Sequence, residues 1–204
     1  MHKEILTKQQ TELLPIVKFF IKDFYLVGGT AIALQIGHRR SIDFDLFTKN
    51  NFGNIAVKNK INKQTKITDI LVNKMQEFTV LINNIKFTFF QYPFDITCTE
   101  KFDDIIKMPD LLTLAAMKAY ALGMRAKWKD YIDLYFIFRN FYNLNDIVKK
   151  SREIFKREFN ERIFRIQLSY FKDVDYQEQV IFLPGMAVSD SKVKSFLKKV
   201  SLEK

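Results

Sequence analysis

Two short groups of residues in the first quarter of the chain have the types and spacing to bind a phosphorylated ligand and a metal ion. Gly28 and Gly29 stand side by side in a chain with only six glycines, directly after a short apolar run. Glycine lets the backbone turn sharply, and it lets a ligand approach the bare amides. Asp43 and Asp45 follow fourteen residues after Gly29 and are separated by one phenylalanine. In a strand, two residues at this spacing project from the same face.

The glycine pair and the aspartate pair fit one site. Two carboxylates on one face repel each other unless a cation lies between them, and Mg²⁺ accepts carboxylates together with phosphate oxygens. A helix beginning after the glycines would direct its unpaired N–H groups at the same place. Gly28, Gly29 and Thr30 are therefore predicted to bind a triphosphate, although Thr30 would serve equally as a helix cap. The plain alternative is that both aspartates are solvated on an edge strand.

A second group of charged residues lies in an otherwise apolar region after Leu111. Lys118 falls in the middle of the apolar stripe of a predicted helix, so its ammonium must reach water along its stem or meet an anion such as a phosphate. Asp133 lies in a helix that is apolar nearly all round, and a buried carboxylate there needs a partner, with Lys118 and Arg125 as the candidates. Asp130 lies one turn earlier, where the helix dipole also favours a negative charge.

The elements that must position these residues follow from hydrophobic periodicity, which predicts an α/β half and then a helical half. We expect strands over residues 24–27, 43–48, 68–73, 77–83 and 85–92, and helices over residues 7–22, 30–36, 52–64, 110–124, 128–141, 146–159, 161–170 and 191–200. Asn83 and Asn84 tolerate the positive φ of a tight hairpin turn, and Gly37 is expected just past a helix end. The division falls near Asp104, giving domains over residues 1–104 and 105–204.

The composition of the chain indicates which kinds of partner it could bind and where in the cell it would be found. Basic residues exceed acidic ones by 33 − 23 = 10. That excess favours nucleic acid, anionic lipid or nucleotide phosphates as partners, but a solvated lysine-rich surface explains it equally well. A single cysteine excludes an intrachain disulfide, and two histidines exclude a histidine-rich metal site. The polar first ten residues and the lack of a long apolar run predict a cytoplasmic protein without a membrane span.

The stretch LVGGTAIALQIGHRRSIDFDLFT, residues 26–48, resembles the signature of the AbiEii/AbiGii toxin family of nucleotidyltransferases, in the polymerase-β-like superfamily. The family's Gly-Gly-(Ser/Thr), Gly-His-Arg and Asp-x-Asp-Leu-Phe elements stand here at residues 28–30, 37–39 and 43–47. A second family pattern is matched by Lys118, Gly123, Arg125, Lys129, Asp130, Asp133 and Leu134. The closing segment LPGMAVSDSKVKSFLKKV is also similar to the family's last helix.

The resemblance implies an α+β fold, in which a polymerase-β-like mixed sheet with flanking helices is followed by a helical bundle that completes the nucleotide site. It also implies roles for single residues. Asp43 and Asp45 would hold two Mg²⁺ (or Mn²⁺) ions, which activate the acceptor hydroxyl and neutralise the triphosphate of an NTP. Lys118 would bind the triphosphate. One of Asp130 and Asp133 would assist catalysis, and the other would hold the helix in place. Asp130 is favoured for catalysis because it is expected to be less enclosed. The further nucleotide contacts are expected from Gly28, Gly29, Thr30, Arg39 and Arg125.

The implied function is transfer of a nucleotide from an NTP to RNA, with tRNA as the leading acceptor. The protein would be the toxin of a type IV toxin–antitoxin or abortive-infection system, with a separate antitoxin protein as partner. Basic residues interleaved with phenylalanine over residues 149–165 suit an RNA backbone, or simply an amphipathic helix. The alternatives are nucleotide transfer to a protein or small molecule, and a nucleotide- or RNA-binding member without turnover.

One departure from the superfamily pattern concerns the acids of the site. Many members draw a third carboxylate from a later strand, and IKFTFFQY, residues 85–92, contains neither Asp nor Glu. Thr88 or Gln91 is expected to face the site instead, or Asp130 to replace the missing acid, so the identity of the general base is open. His38 is expected to order the loop before the aspartates rather than to act as an acid or base.

Overall fold

The computed structural model describes residues 1–203. The chain forms two compact units, Met1–Asp110 and Leu111–Lys204. The boundary expected at residues 104/105 falls between two short strands that pair with each other, Glu100–Phe102 and Ile106–Met108. Both strands of this hairpin belong to the first unit, so the boundary of the units comes six residues later, at the start of a helix.

The first unit contains three helices and seven strands among its described residues. In chain order the helices are α1 (Lys8–Lys18), α2 (Gly28–Ile36) and α3 (Asn54–Asn62), preceded by a 3₁₀ turn at Lys3–Ile5. The strands are β1 (Tyr25–Val27), β2 (Phe44–Thr48), β3 (Asp69–Lys74), β4 (Glu77–Ile82), β5 (Ile85–Gln91), β6 (Glu100–Phe102) and β7 (Ile106–Met108). Each predicted element of this half is present, with ends shifted by up to four residues. Only the three-residue strands β6 and β7 were not predicted.

Five strands form one mixed sheet in the order β1-β2-β5-β4-β3. The pairing of β2 with β5 is parallel, and the other neighbours are antiparallel. Strand β2 therefore lies inside the sheet, and the alternative that placed the aspartates on an edge strand is wrong. One face of β2 buries Phe44 and Leu46 completely, which fixes the register because a slip by one residue would expose both.

Local turn chemistry acts as the sequence predicts. Asn83 and Asn84 join β4 to β5 with φ angles of 49° and 64°, the conformation that a two-residue hairpin with right-handed strand twist requires. Gly37 ends α2 with φ 65°. The start of α1 is fixed by a capping box, in which the Thr7 hydroxyl accepts from the backbone N–H of Gln10 and the Gln10 side chain accepts from that of Thr7.

The second unit is helical, as predicted. Its helices are α4 (Leu111–Leu122), α5 (Trp128–Asn140), α6 (Leu144–Phe155), α7 (Glu161–Ser169) and α8 (Asp190–Ser201), with a 3₁₀ turn at Lys156–Glu158. The phenylalanines between the basic residues of α6 and α7 are buried, namely Phe155, Phe159 and Phe164. This burial is the arrangement of ordinary amphipathic helices. No helix within residues 1–203 is long and apolar enough to cross a membrane.

Candidate active site

The two aspartates lie on the same face of the sheet. Asp45 is in β2, opposite Thr88 of the parallel strand β5. Asp43 stands just before β2, and its carboxylate is 2.6 Å from the ammonium of Lys86. Because Lys86 and Thr88 are two residues apart in β5, they share a face, and their partners Asp43 and Asp45 therefore share it too. Phe44 points to the opposite, buried face, as its position between the aspartates predicts.

Gly28 brings the glycine turn into contact with Asp45. Its φ is +72°, and a Cβ built on it would lie 2.2 Å from Oδ2 of Asp45. Only glycine leaves room for the carboxylate here and also adopts this backbone conformation without strain. Helix α2 starts at Gly28, two residues earlier than predicted, and its N-cap residue Val27 makes no side-chain cap hydrogen bond. The carboxylate of Asp45 therefore lies beside the positive end of this helix.

Thr30 has a different role from either one predicted. It is buried, and its hydroxyl donates to the backbone carbonyl of Asp43 and lies 3.0 Å from the hydroxyl of Ser41. Val27 occupies the N-cap position of α2, so Thr30 is not the helix cap. The hydroxyl is also not presented to solvent as a phosphate donor would be. Thr30 instead fixes the main chain at Asp43, and thereby sets where both carboxylates project.

Arg39 lies beneath the glycine turn rather than at the surface. The side chain is 1% exposed, and its Nη1 donates to the carbonyl of Arg40 over 2.9 Å. A Cβ on Gly29 would lie 2.6 Å from Nη2 of Arg39. The guanidinium thus fills the space under Gly29. His38 is also buried, in keeping with a part in ordering this loop.

Strand β5 places a hydroxyl and an ammonium group on the face that carries Asp43 and Asp45. Thr88 faces the same side as Asp45, as expected. Gln91 pairs with Thr48, which is on the other face of β2, and its amide donates to the carbonyl of Lys49, so its expected position at the site is wrong. Within residues 1–203 no three or more His, Cys, Asp or Glu side chains cluster as metal ligands. A cation at this site would therefore have two carboxylates from the protein.

The second predicted group forms a buried ion-pair cluster. The ammonium of Lys118 in α4 lies 2.7 Å from Asp130 and 3.1 Å from Asp133, both in α5. The side chains of Lys118, Asp130 and Asp133 are 7%, 4% and 0% exposed. Arg125 reaches Oδ2 of Asp130 at 3.5 Å from a mostly exposed position. The alternative of a lysine that reaches water is wrong, and the expected partner of Asp133 is confirmed. Asp130 is scarcely less enclosed than Asp133, so exposure gives no reason to favour it.

The start of α5, which carries Asp130, is held by the segment around Glu178. Lys127 and Lys129 lie 2.6 Å and 3.1 Å from the carboxylate of Glu178, and the N–H of Trp128 donates to the carbonyl of Asp175. Burial alone would raise the pKa of Glu178, but hydrogen bonds and charge from Lys127 and Lys129 outweigh burial and lower the pKa to about 2. Lys129 of the family motif therefore stabilises the helix start.

Replacing Glu178 with glutamine is expected to destabilise the protein at pH 7 by at most about 1 kcal/mol, because the pair is screened by water. The folded-state pKa is depressed, so the stabilisation is present above the ordinary value of 4.5 and is lost as the pH falls towards 2. Melting temperatures of wild type and Glu178→Gln should therefore differ at pH 7 and converge as the pH falls towards 2. A difference that stays constant over this range would contradict the assignment.

Replacing Gly28 with alanine is expected to displace the carboxylate of Asp45, since the new Cβ would overlap Oδ2, and to add backbone strain of about 1–2 kcal/mol. Any activity that needs Asp45 should fall by at least ~10-fold. The matched control is Gly53→Ala at the start of α3, where a Cβ meets no atom within 4 Å. Activity and melting temperature should both be measured. Equal behaviour of the two variants would show that Gly28 does not shape the site.

Comparison with known proteins identifies relatives over most of the chain. A family model described as nucleotidyl transferase AbiEii toxin, type IV TA system, matches residues 85–202. The matched range contains Lys118, Asp130 and Asp133 and begins after Asp43 and Asp45. An uncharacterised protein of Aquifex aeolicus is 34% identical over 175 residues, which cover 82% of this chain and 84% of that protein.

Two solved structures share the fold. JHP933 from Helicobacter pylori superimposes with a TM-score of 0.57 at 15% identity and covers 96% of this chain and 91% of its own. MenT4, a nucleotidyltransferase toxin from Mycobacterium tuberculosis, gives a TM-score of 0.57 at 11% identity, with 93% of this chain and 82% of its own covered. At these identities the likeness concerns the fold alone. The expected α+β fold, with a mixed sheet and a following set of helices, is thereby confirmed.

Proposed function

The chain belongs to the AbiEii family of nucleotidyl transferase toxins from type IV toxin–antitoxin systems, and we propose that it transfers a nucleotide from an NTP to an RNA acceptor, with tRNA as the leading candidate. The observation that carries the proposal is the contact between the glycine turn and the aspartate pair. Gly28 leaves space that Asp45 occupies, and Asp43 lies on the same face. This pairing of a bare-backbone turn with two acids suits a triphosphate and its cation.

The residues present fit Mg²⁺ better than a metal that needs a complete protein cage. Mg²⁺ is commonly bound through one or two carboxylates, with water and substrate phosphates as its other ligands. Asp43 and Asp45 supply two carboxylates that both remain partly accessible. When bound, Mg²⁺ or Mn²⁺ would offset the negative charge of the triphosphate and of the departing pyrophosphate.

The chain's own contribution at the sheet is positioning and charge. The amides in the first turn of α2 would bind phosphate oxygens, and Gly28 and Gly29 would let those oxygens approach. Thr30 holds the main chain at Asp43 through its hydroxyl, so the direction of the acid pair is fixed before a nucleotide binds. Arg39 supports Gly29 from below. We therefore propose that Arg39 keeps the turn in shape rather than binding phosphate directly.

In the helical unit we propose that Lys118 interacts with the triphosphate and that Asp130 and Asp133 hold its ammonium in readiness. The cluster carries two carboxylates against one buried ammonium, and Arg125 lies at its exposed side. An ammonium shared by two acids can be shared further with a phosphate oxygen without leaving its position. Arg125 is mostly exposed, so it can add a second cationic contact to the nucleotide.

The proposals for the acceptor and for the partner protein rest on the net charge of the chain and on its family. A formal net charge of +10 favours a polyanionic acceptor, and RNA is a polyanion whose hydroxyls can accept a nucleotide. Membership in a type IV toxin–antitoxin family implies a cognate antitoxin protein, which we propose as the physiological partner. Transfer to a protein side chain or a small molecule is the second candidate, and it shares the same nucleotide site.

Incubation of the purified protein with each labelled NTP, Mg²⁺ and total tRNA tests the proposal. We expect label on RNA, lost when EDTA is added. Label on protein or on a small molecule instead would replace the RNA acceptor with the second candidate. NTP retained on the protein without incorporation, to the same extent in wild type and Asp43→Ala, would indicate a binding protein without turnover and overturn the proposal.

A further inference from the structure

Lys86 places an ammonium group at the aspartate pair. Its Nζ is 2.6 Å from Oδ2 of Asp43, and the side chains of both residues are 32% exposed. The residue opposite Asp45 in the same strand, two positions further on, is Thr88. A positive charge of the protein itself therefore occupies part of the space in which a divalent cation would meet Asp43.

Lys86 differs from Lys118, the lysine of the buried ion-pair cluster. Lys118 is enclosed with two buried carboxylates, and moving it would strand those charges. Lys86 is bound to a partly exposed carboxylate on an accessible face of the sheet, so its flexible stem can carry the ammonium into water at little cost. Lys86 is thus able to leave Asp43 when another cation arrives, whereas Lys118 is not.

We propose, on the basis of the proposed function, that Lys86 is a placeholder cation which competes with the free divalent metal for Asp43. In the metal-free site the ammonium of Lys86 offsets the charge of Asp43. A free divalent ion then meets a carboxylate that is already paired. A divalent ion already bound to NTP brings additional negative oxygens, to which Lys86 can turn. The metal therefore enters with the nucleotide, and Lys86 acts as a positioning residue.

Binding of Mn²⁺ to the full chain without NTP tests this proposal, measured by the loss of the free-ion signal in electron paramagnetic resonance. The Lys86→Met variant removes the ammonium and keeps a stem of similar length. We expect it to bind Mn²⁺ about tenfold more tightly than wild type, because a positive charge within a few ångströms of the ion is removed. Lys86→Arg, which keeps the charge, should bind as weakly as wild type.

Lys49→Met is the matched control, since Lys49 forms an ion pair with Asp95 on the same unit and its removal lowers the net charge by the same amount. Wild-type affinity in Lys49→Met shows that the gain in Lys86→Met is local. Equal gains in both variants, or no gain in Lys86→Met when circular dichroism shows it folded, would overturn the proposal. Adding Asp43→Asn to Lys86→Met should abolish the gain, and a gain that persists also overturns it.

The failure of this inference is distinguishable from failure of the proposed function. Mn²⁺ binding is measured without nucleotide or acceptor, whereas the proposed function is judged by labelled product. If wild type transfers label to RNA but Lys86→Met shows no tighter Mn²⁺ binding, only the placeholder role is lost. If Lys86→Met binds Mn²⁺ tightly but wild type forms no labelled product, the placeholder role stands and the proposed reaction fails.

Discussion

Asp45→Asn is expected to lower nucleotide transfer by on the order of 1,000-fold or more, with the fold retained. Asparagine has nearly the same shape, so it fits beside Gly28, but it carries no charge to hold a cation. Asp45 is in an inner strand of the sheet, and its carboxylate lies against the glycine turn at the N-terminal end of α2. No other acid in the described chain joins Asp43 and Asp45 to form a cluster of three. No nearby acid can therefore take over the role of the lost Asp45 carboxylate.

The measurement is incorporation of label from NTP into RNA by wild type and by the variant at equal folded concentration. Asp95→Asn is the control, because Asp95 is an exposed acid of the same unit that pairs with Lys49, and it should keep full activity. Circular dichroism and thermal unfolding establish that the variants are folded. More than about a tenth of wild-type activity in Asp45→Asn would place the metal-binding acids elsewhere in the chain.

Lys118→Met is expected to destabilise the second unit by about 3–5 kcal/mol, because it leaves two buried carboxylates without their shared cation. For a chain of this size that loss lowers the melting temperature by roughly 10 °C. Lys150→Met, which breaks a surface pair with Glu153 on α6, is the control and should cost at most about 0.5 kcal/mol. Thermal unfolding of the three proteins side by side decides the prediction.

A double variant separates the structural contribution of Lys118 from its proposed contact with the triphosphate. In Lys118→Met/Asp133→Asn only Asp130 keeps a charge, and Arg125 is still within 3.5 Å of it. We expect the double variant to regain about 1–3 kcal/mol relative to Lys118→Met, since the two changes are coupled. If stability returns while nucleotide transfer does not, and Asp133→Asn alone keeps its activity, Lys118 acts in the reaction itself. If Lys118→Met alone is as stable as wild type, the buried ion-pair cluster is contradicted.

Most helices, strands and turns can be predicted from the sequence because the patterns that indicate them extend over only a few neighbouring residues. Alternation around Phe44 placed Asp43 and Asp45 on one face, and Asn83-Asn84 marked the hairpin. Strands β6 and β7 were missed because three residues are too few to show a period. The order of the strands depends on pairing between distant segments, and no local pattern encodes it. The contact of Lys86 with Asp43 follows from that pairing and was therefore not foreseen.

Roles of single side chains in the site were harder to predict than its location. The residue types of the glycine turn indicated a phosphate site, but the structure buries Thr30 and Arg39 behind it. Both are polar residues whose partners are backbone carbonyls, and a sequence does not show which polar residues turn inward. The apolar stripe around Lys118 indicates that its ammonium needs water or an anion, and Lys118 is one of the two partners that the sequence offers for Asp133. The packing of α4 against α5 decided between that partner and water.

The parallel pairing of β2 with β5 has a consequence for how the protein is made. Phe44 pairs with Phe87, which is 87 − 44 = 43 residues later in the chain. A nascent polypeptide that has emerged from the ribosome only as far as β4 contains both acids and the glycine turn, but it lacks β5, one of the two strands that flank β2. Closing a loop of this length precedes any gain from the contact. A translation product that ends before β5 should therefore lack the proposed activity.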